Sequence, residues 1–232
     1  PDQASDDKNL GGANRLFSEK FINMIPPLLK GSLLTLELTT VSVFFGLVLG
    51  LLLALGRISK NGIVDRICWF YIWLFRGTPL LMQIFFIYYA LPMIYPPLTL
   101  AQMPAAFIAL SLNSAAYLAE IIRAAIQSID KGQMEEAKAL GMSYSQAMRR
   151  IIVPQSYRRL IPPVGNEFIA LLKDSALVSV IGMTELMRTT SIMANSSGDA
   201  TIYIPAAILY LALTTVFTVV FERIEKKYSI YE

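Results

Sequence analysis

The sequence predicts an all-α membrane protein, and three charge-free apolar segments carry this prediction. No aspartate, glutamate, lysine or arginine occurs in residues 77–119, 38–56 or 200–221. A helix needs about 20 predominantly apolar residues to cross the hydrocarbon core of a bilayer, and each segment is long enough to do so. Charged residues make up 16% of the chain, compared with about 25% in an ordinary soluble domain.

Five transmembrane helices are predicted in chain order, at approximately residues 33–56, 63–91, 104–126, 161–183 and 202–221. The fourth has the least regular pattern, because Glu167, Lys173 and Asp174 interrupt its apolar residues. The second contains the sequence Arg-Gly-Thr-Pro at residues 76–79. Pro79 lacks a backbone donor and disfavours helical backbone at Thr78, so we expect this segment to be broken there, with a membrane-crossing part after the break.

The distribution of positive charge predicts the orientation of the chain. Thirteen lysine and arginine residues fall in the connections on one side of the five spans, and five fall on the other side. Connections rich in these residues stay in the cytoplasm. The N-terminus is therefore predicted outside and the C-terminal tail, residues 229–232, inside. The polar residues 1–27 are predicted to form an extracytoplasmic segment before the transmembrane domain of residues 28–228, and the first 14 of them to be flexible.

Composition excludes several kinds of chemistry. The chain has no histidine and a single cysteine, Cys68, which rules out imidazole catalysis, an internal disulfide and a cysteine-ligated metal site. It contains no Gly-x-x-x-x-Gly-Lys-Ser/Thr loop to hold nucleotide phosphates, and its basic residues do not cluster as in a nucleic-acid-binding surface. We therefore predict no catalytic residues, no metal and no cofactor bound by this chain.

A charged segment, residues 132–159, separates the third and fourth predicted spans. Apolar residues recur in it at helical spacing, and Gly141 divides them, so two short helices with a bend are predicted. Small residues at Ala137, Ala139 and Gly141 would let a partner approach the backbone closely. Pro154 is expected to end the helical pattern before the fourth span. Taken alone, the pattern favours a solvated helix at the membrane surface.

The 132–159 segment resembles the EAA loop of ATP-binding-cassette (ABC) importer permeases. That loop has the pattern Glu-Ala-Ala, three residues, Gly, nine residues, then Ile-x-Leu-Pro. Here Glu135, Glu136 and Ala137 are followed at the same distances by Gly141 and by a motif that ends at Pro154. Two positions depart from the pattern, since Glu136 stands for alanine and Val153 for leucine.

Four further stretches resemble permeases for polar amino acids of the histidine, glutamine and arginine type, and the resemblance covers about residues 28–228. The stretches are GSLLTLELTTVSVFFGLVLG, FRGTPLLMQIFFIYY, LNSAAYLAEIIRAAIQSIDKGQ and NEFIALLKDSALVSVIG. The resemblance implies a type I importer permease fold in a bacterial plasma (inner) membrane. It also implies a second permease subunit, predicted as an identical copy, ATPase subunits that hold ATP and Mg and grip the EAA loop, and an extracytoplasmic binding protein that delivers an amino acid.

Polar residues within the predicted spans are the candidates for substrate contact, because intramembrane ionisable groups usually face a cavity or a partner charge. Asn113, Tyr117 and Glu120 share one helical face, on which Glu120 could pair with a substrate ammonium or with Arg123. Asp174 shares a face with Glu167, for which interhelix pairing or gating is the preferred interpretation. Asp199 could line the outer mouth of a pathway, or lie in a solvated loop.

Two other functions fit the sequence less well than an importer permease. The first alternative is a self-sufficient secondary transporter or channel, but such proteins often show duplicated halves, and no internal repeat is visible here. An intramembrane enzyme is disfavoured by the lack of histidine and of any nucleophile–base arrangement. Because two or three carboxylates lie near the predicted pathway, we expect a basic or polar amino acid as the substrate.

Overall fold

The structure is a computed structural model that describes the backbone of residues 3–229 and the side chains of residues 22–228. Throughout this part of the chain the regular elements are helices, as the sequence predicts, and there is no strand. The α-helices are α1 (Gln3–Ile58), α2 (Gly62–Gly77), α3 (Leu80–Phe85), α4 (Leu91–Ile94), α5 (Gln102–Gln127), α6 (Lys131–Ala139), α7 (Tyr144–Ala147), α8 (Val153–Asp174), α9 (Leu186–Ser197) and α10 (Tyr203–Ser229).

Shorter helical turns connect several of these helices. A π-helical turn at Phe86–Ala90 joins α3 to α4, and a second at Met148–Ile152 joins α7 to α8. Turns of 3₁₀-helix occupy Pro96–Leu98, Ser175–Ile181 and Ala200–Ile202.

Three helices are long and apolar enough to cross a membrane: Ile22–Ile58, Gln102–Gln127 and Ala200–Tyr228. A fourth crossing is possible if α2 and the α3–α4 segment form one bent span. Helix α8 lies at the place of the fourth predicted span. It is not apolar enough to be counted with these helices, because it carries the charged residues that interrupt the sequence pattern. The exact number of five spans therefore stays a prediction.

The break in the second span lies where the sequence predicts it. Helix α2 ends at Gly77, α3 begins at Leu80, and the chain bends by 105° between them. Thr78 and Pro79 both have extended backbone, as expected for proline and the residue that precedes it.

Helix α5 is the centre of the fold. In the most apolar part of α5, 61% of the residues are buried, whereas only 6% are buried in the most apolar part of α10. Helix α5 packs closely on α1 because Gly46 and Gly50 have no side chain between the two backbones. A Cβ atom on Gly50 would lie 3.0 Å from the carbonyl oxygen of Ala115. In contrast, α10 contacts α8 through Phe217 and Phe221 and leaves most of its apolar surface open, as suits a helix that faces lipid or another subunit.

The 132–159 segment contains the predicted pair of short helices with a bend at Gly141. Gly141 ends α6 with φ of +79°, and the N–H of Met142 donates to the carbonyl of Ala137, which is the hydrogen bond of a Schellman motif. Ser143 then begins α7 with a capping box that it shares with Gln146. Helix α6 is therefore stopped by one residue that tolerates left-handed backbone.

One expectation about helix limits differs from the structure. Pro154 does not end the helical pattern, because the π-helical turn Met148–Ile152 precedes it and Ile152 and Val153 keep helical backbone; local π-helical adjustments of this kind can satisfy the backbone groups that a proline frees. Helical backbone thus continues from Tyr144 to Asp174. Residues 3–27 have helical backbone that is continuous with the rest of α1, since a helix nucleated in the apolar span adds one hydrogen bond for each residue by which it is extended. The extracytoplasmic position of this segment stays a prediction.

The close contact between α1 and α5 predicts that Gly50→Ala lowers stability. The added methyl group would meet backbone atoms of α5, and overpacking of this kind costs about 1–3 kcal/mol. Gly62→Ala is the matched control, because nothing lies within 4 Å of a Cβ atom there. Thermal unfolding in detergent, followed by size-exclusion chromatography, should show a lower midpoint for Gly50→Ala alone. Equal midpoints for the two variants would contradict this packing.

Candidate functional site

The break between α2 and α3 is held by two side-chain amides. The Nε2 group of Gln83 donates to the carbonyl oxygens of Phe75 (2.9 Å) and Thr78 (3.0 Å) and to the Thr78 hydroxyl (2.9 Å). The Nδ2 group of Asn113, on α5, donates to Oε1 of Gln83 at 2.9 Å and to the Phe75 carbonyl at 3.4 Å. Carbonyl groups that lose their helical partners at the break are thereby satisfied, as an apolar environment requires.

A cavity of about 560 Å³ lies beside this break, and we call it the central cavity. Its volume is in the range of small-molecule sites. Residues of four elements line it: the α2–α3 break, α5, α8 and the turn Ser175–Ile181. Its polar lining includes Arg76, Thr78, Asn113, Tyr117, Glu167 and Asp174.

Two helices contribute charged side chains to the central cavity, and the charges from the two helices are opposite in sign. Arg76, at the end of α2, contributes the positive charge, and Glu167 and Asp174, two turns apart on α8, contribute the negative charges. Glu167 accepts a hydrogen bond of 2.9 Å from the Ser114 hydroxyl on α5. This bond fixes one carboxylate between α5 and α8, whereas Asp174 is exposed at the end of α8. A polar molecule with separated positive and negative groups would match this lining.

A second cavity, of about 460 Å³, adjoins the central one, and we call it the adjoining cavity. Arg76 and Tyr117 line both cavities. The adjoining cavity also reaches Glu120, Ser128, Arg159 and Pro163, so it leads from the central cavity towards the 132–159 segment. The Arg76 guanidinium carbon lies 5.2 Å from the centre of the Tyr117 ring, in a cation–π contact.

The structure brings together three of the five predicted substrate residues. Asn113, Tyr117 and Asp174 line the central cavity, although Asn113 also braces the break through its amide group. Glu120 lies in the adjoining cavity and forms two hydrogen bonds with Arg123, of 2.6 and 3.0 Å. This is the ion pair that was the alternative interpretation of Glu120.

Asp199 does not line either cavity. Its carboxylate accepts hydrogen bonds from the backbone N–H and the hydroxyl of Thr201 and begins the short turn Ala200–Ile202. The described contacts thus match the ordinary loop interpretation of Asp199.

Sequence reasoning missed three residues of the central cavity. The sequence pattern gives Arg76 and Thr78 only as parts of the Arg-Gly-Thr-Pro break, and it favours interhelix pairing or gating for Glu167. Glu167 does pair with another helix, and it lines the cavity as well. A charged residue next to a predicted break was the available signal for Arg76, since irregular backbone at membrane depth normally lines a cavity.

The 132–159 segment presents a mixed apolar and charged surface. Leu140 is 79% exposed beside Gly141, and Tyr144 is also exposed. The charged residues Glu135, Glu136, Arg149 and Arg150 of the same segment are exposed as well. Ala137 differs from the expectation for a small surface residue, because it is buried where α6 packs against the turn before α8. The exposed patch therefore consists of Leu140 and Tyr144 rather than of Ala137.

Comparison with known proteins identifies the family of the chain. Residues 46–230 match the family described as "Binding-protein-dependent transport system inner membrane component". The chain is 41% identical over 211 residues to the arginine transport system permease protein ArtQ of Bacillus subtilis (strain 168), which covers 89% of this chain and 94% of that protein. It is 38% identical over 207 residues to the glutamine transport system permease protein GlnP of Escherichia coli (strain K12), with the same coverage of 89% and 94%.

Solved structures agree with this assignment. The crystal structure of an amino acid ABC transporter with histidines matches at a TM-score of 0.85 and 38% identity, over 90% of this chain and 97% of that one. An inward-facing structure of the MetNI methionine ABC transporter matches at a TM-score of 0.78 and 23% identity, over 89% and 98% of the two chains, which shows a shared fold. The chain is a multi-pass inner-membrane protein that belongs to the family of binding-protein-dependent transport system inner membrane components, the permease subunits of ABC importers.

Proposed function

We propose that this permease subunit imports a cationic amino acid through the central cavity and is driven by an ATPase that binds the 132–159 segment. The observation that carries the substrate assignment is the charge pattern of the cavity. Two carboxylates and one guanidinium line it, and a cationic amino acid carries two positive groups and one carboxylate. Similarity to the arginine permease of Bacillus subtilis supports this choice. Similarity to the glutamine permease of Escherichia coli makes a neutral polar amino acid the alternative substrate class.

The exposed patch of Leu140 and Tyr144 suits a protein partner. An apolar centre with charged residues at its rim is the usual composition of a protein–protein contact, and Glu135, Glu136, Arg149 and Arg150 can fix the orientation of the partner through charge. We assign this patch to the ATPase subunits, which hold ATP and Mg, so that this chain takes no part in the chemistry of hydrolysis. The segment then lies in the cytoplasm and the N-terminus outside.

The continuous helix from Tyr144 to Asp174 supports coupling between the patch and the cavity. Helix α8 has 22 residues and is therefore about 33 Å long at 1.5 Å per residue. It begins next to α7 and carries Glu167 and Asp174 at its other end. A displacement of the patch by the ATPase would be transmitted to both carboxylates along this helical backbone, through the π-helical turn Met148–Ile152 and past Pro162 and Pro163 inside α8.

Two further partners complete the proposal. A second permease subunit, an identical copy in the simplest case, would cover apolar surface such as that of α10, of which only a small part is buried within one chain. An extracytoplasmic binding protein would deliver the amino acid. A self-sufficient transporter is not favoured, because the relatives are permease components of ABC systems.

The exposed patch predicts that Leu140→Glu uncouples the permease from its ATPase. A buried charge at the centre of the contact would weaken binding, because it loses hydration without gaining a partner. The tagged chain should be purified from membranes of the cell that makes it, and its ATPase content and amino-acid-stimulated ATP hydrolysis should be measured. We expect both to fall at least about tenfold, which corresponds to about 1.4 kcal/mol.

Leu98→Glu is the matched control for Leu140→Glu. Leu98 is also an exposed leucine, but it lies in the turn Pro96–Leu98 between α4 and α5, on the predicted outer side. The control should retain the ATPase and its activity. An unaltered Leu140→Glu complex, or wild-type chain that carries no ATPase at all, would contradict the proposed coupling.

The cavity charges predict that Asp174→Asn reduces the uptake of L-arginine by about tenfold or more, because a hydrogen bond to a charged group contributes about 1.5–3 kcal/mol. Asp199→Asn removes the same charge outside the cavity and should leave uptake close to that of the wild type. Radiolabelled uptake into proteoliposomes that contain the whole complex measures both. An equal loss of L-arginine uptake in the two variants would mean that uptake depends on the net charge of the chain and not on a carboxylate in the cavity, which contradicts the prediction.

A further inference from the structure

Helix α2 exposes three aromatic side chains that take no part in the proposed transport pathway. Trp69, Phe70 and Trp73 are each at least half exposed, and we call them the aromatic face. The indole rings of Trp69 and Trp73 are stacked with their centroids 6.0 Å apart, and the Phe70 ring lies 5.8 Å from that of Trp73. Tryptophan is enriched where a membrane meets water, because its ring suits the headgroup region. The aromatic face is therefore typical of a surface that contacts lipid.

Two cations precede the aromatic face in the chain. Lys60 lies immediately before Asn61, the N-cap of α2, and Arg66 lies in the second turn of this helix. Both side chains are exposed, and neither forms an ion pair or a side-chain hydrogen bond with any of residues 22–228. The carboxylate of Asp65 between them is already paired with Arg57. The positive charge of Lys60 and Arg66 thus lacks a counter-charge within the described chain.

The turn between α1 and α2 is ordered by its own hydrogen bonds. The Asn61 side chain accepts from the N–H groups of Ile63 (3.0 Å) and Val64 (3.4 Å), and the Asn61 N–H donates to the Ser59 hydroxyl at 3.1 Å. The Ser59 N–H donates to the carbonyl of Gly56. Because these backbone donors are already used, an anion at this turn would be recognised by the two cationic side chains.

The α1–α2 turn lies at the same end of the fold as the 132–159 segment. A Cβ atom on Gly46 would meet Ser114, and one on Gly50 would meet Ala119, so α1 and α5 run in the same direction. Helix α5 ends shortly before α6 begins. The two cations are therefore on the side of the membrane that we propose to be cytoplasmic, where anionic lipids attract basic side chains.

The spacing along α2 suits a phospholipid. Trp69, Phe70 and Trp73 follow Arg66 by three, four and seven residues, which places all four on one side of the helix. At 1.5 Å per residue, Trp73 is about 10 Å from Arg66 along the helix axis. A phosphate group at Arg66 would therefore place an acyl chain beside the aromatic rings. The planar guanidinium group of arginine matches the oxygen atoms of phosphate with two parallel hydrogen bonds.

We propose that Lys60 and Arg66 bind the phosphate group of an anionic phospholipid whose acyl chains lie against the aromatic face. A zwitterionic lipid carries its own cation beside the phosphate and gains less from two cations that lack a counter-charge. A second copy of the chain fits this surface less well, because contact between copies would bury these cations without a partner. The lipid site is independent of the substrate that the permease imports.

The test uses Trp69 and Trp73, the two tryptophans of the chain, as reporters. The complete permease–ATPase complex is placed in nanodiscs of phosphatidylcholine, in which a rising fraction of lipid carries dibrominated acyl chains, either as phosphatidylglycerol or as phosphatidylcholine. Bromine quenches tryptophan fluorescence on contact. The signal of a complex with Trp69→Phe and Trp73→Phe is subtracted to remove the tryptophans of the partner.

The wild type should reach half-maximal quenching at a phosphatidylglycerol fraction at least about tenfold lower than the phosphatidylcholine fraction, because each cation near an anionic surface contributes about fivefold. The double variant Lys60→Gln, Arg66→Gln should reduce this preference to about twofold or less. Its quenching by brominated phosphatidylcholine should stay as in the wild type, since the aromatic face is unchanged.

Two further variants keep the test decisive. Arg66→Gln alone should show an intermediate preference, and it serves if the double variant does not assemble. The double variant Arg223→Gln, Lys227→Gln is the matched control, because it removes two exposed cations from the end of α10. This control should quench as the wild type does.

Four results would contradict the lipid site. Equal quenching of the wild type by the two brominated lipids would show that no anionic lipid is preferred. Absence of quenching by either lipid would show that protein, such as a second copy of the chain, covers the aromatic face. A preference that persists without Lys60 and Arg66 would exclude these cations as ligands. An equal loss in the α10 control would assign the preference to the net charge of the chain.

Discussion

A helix that breaks within a membrane must find partners for the carbonyl groups that the break releases, and this requirement organises the structure. The bend of 105° between α2 and α3 is possible because the Gln83 amide donates hydrogen bonds to the released carbonyl groups. The Asn113 amide in turn donates a hydrogen bond to Gln83. Asn113 comes from α5, so the break is fixed to the most buried helix of the fold. Irregular backbone then faces α8 rather than lipid, and the space between them is the central cavity. The polar site is thus a consequence of the way in which the break is satisfied.

Rigid and movable parts are separated around this cavity. Helices α1 and α5 meet at glycine residues with almost no space between their backbones, an arrangement that resists sliding. Helix α8 forms the other wall, and its hydrogen bond from Ser114 to Glu167 is one polar contact that can exchange without loss of the core. Because α8 continues from the exposed surface next to Gly141, the wall with the carboxylates is also the wall that the proposed ATPase partner would move.

Local sequence signals predicted much of this arrangement. Charge-free segments gave the apolar helices, Pro79 gave the break, and Gly141 gave the bend between α6 and α7. Long-range relations were not accessible in the same way. The sequence leaves open whether the Glu120 carboxylate binds Arg123 or a substrate, and the structure shows the Arg123 pair. The sequence also does not predict that Arg76 lies over Tyr117 or that Ala137 is buried, because both depend on how distant segments pack. Pro154 misled for a local reason: the π-helical turn Met148–Ile152 precedes it, and such a turn lets helical backbone continue through a proline.

The central claim is that the polar wall of α8 faces a water-filled pathway and that the open surface of α10 does not. Ala170 is half-buried and lines the central cavity, whereas Ala212 on α10 is exposed in the isolated chain. Each is changed to cysteine in a background that lacks Cys68, the single native cysteine, and the complex in proteoliposomes is treated with a charged thiol reagent. The account predicts rapid labelling at position 170, slowed by L-arginine, and no labelling at position 212. Faster labelling at position 212 than at position 170 would contradict it.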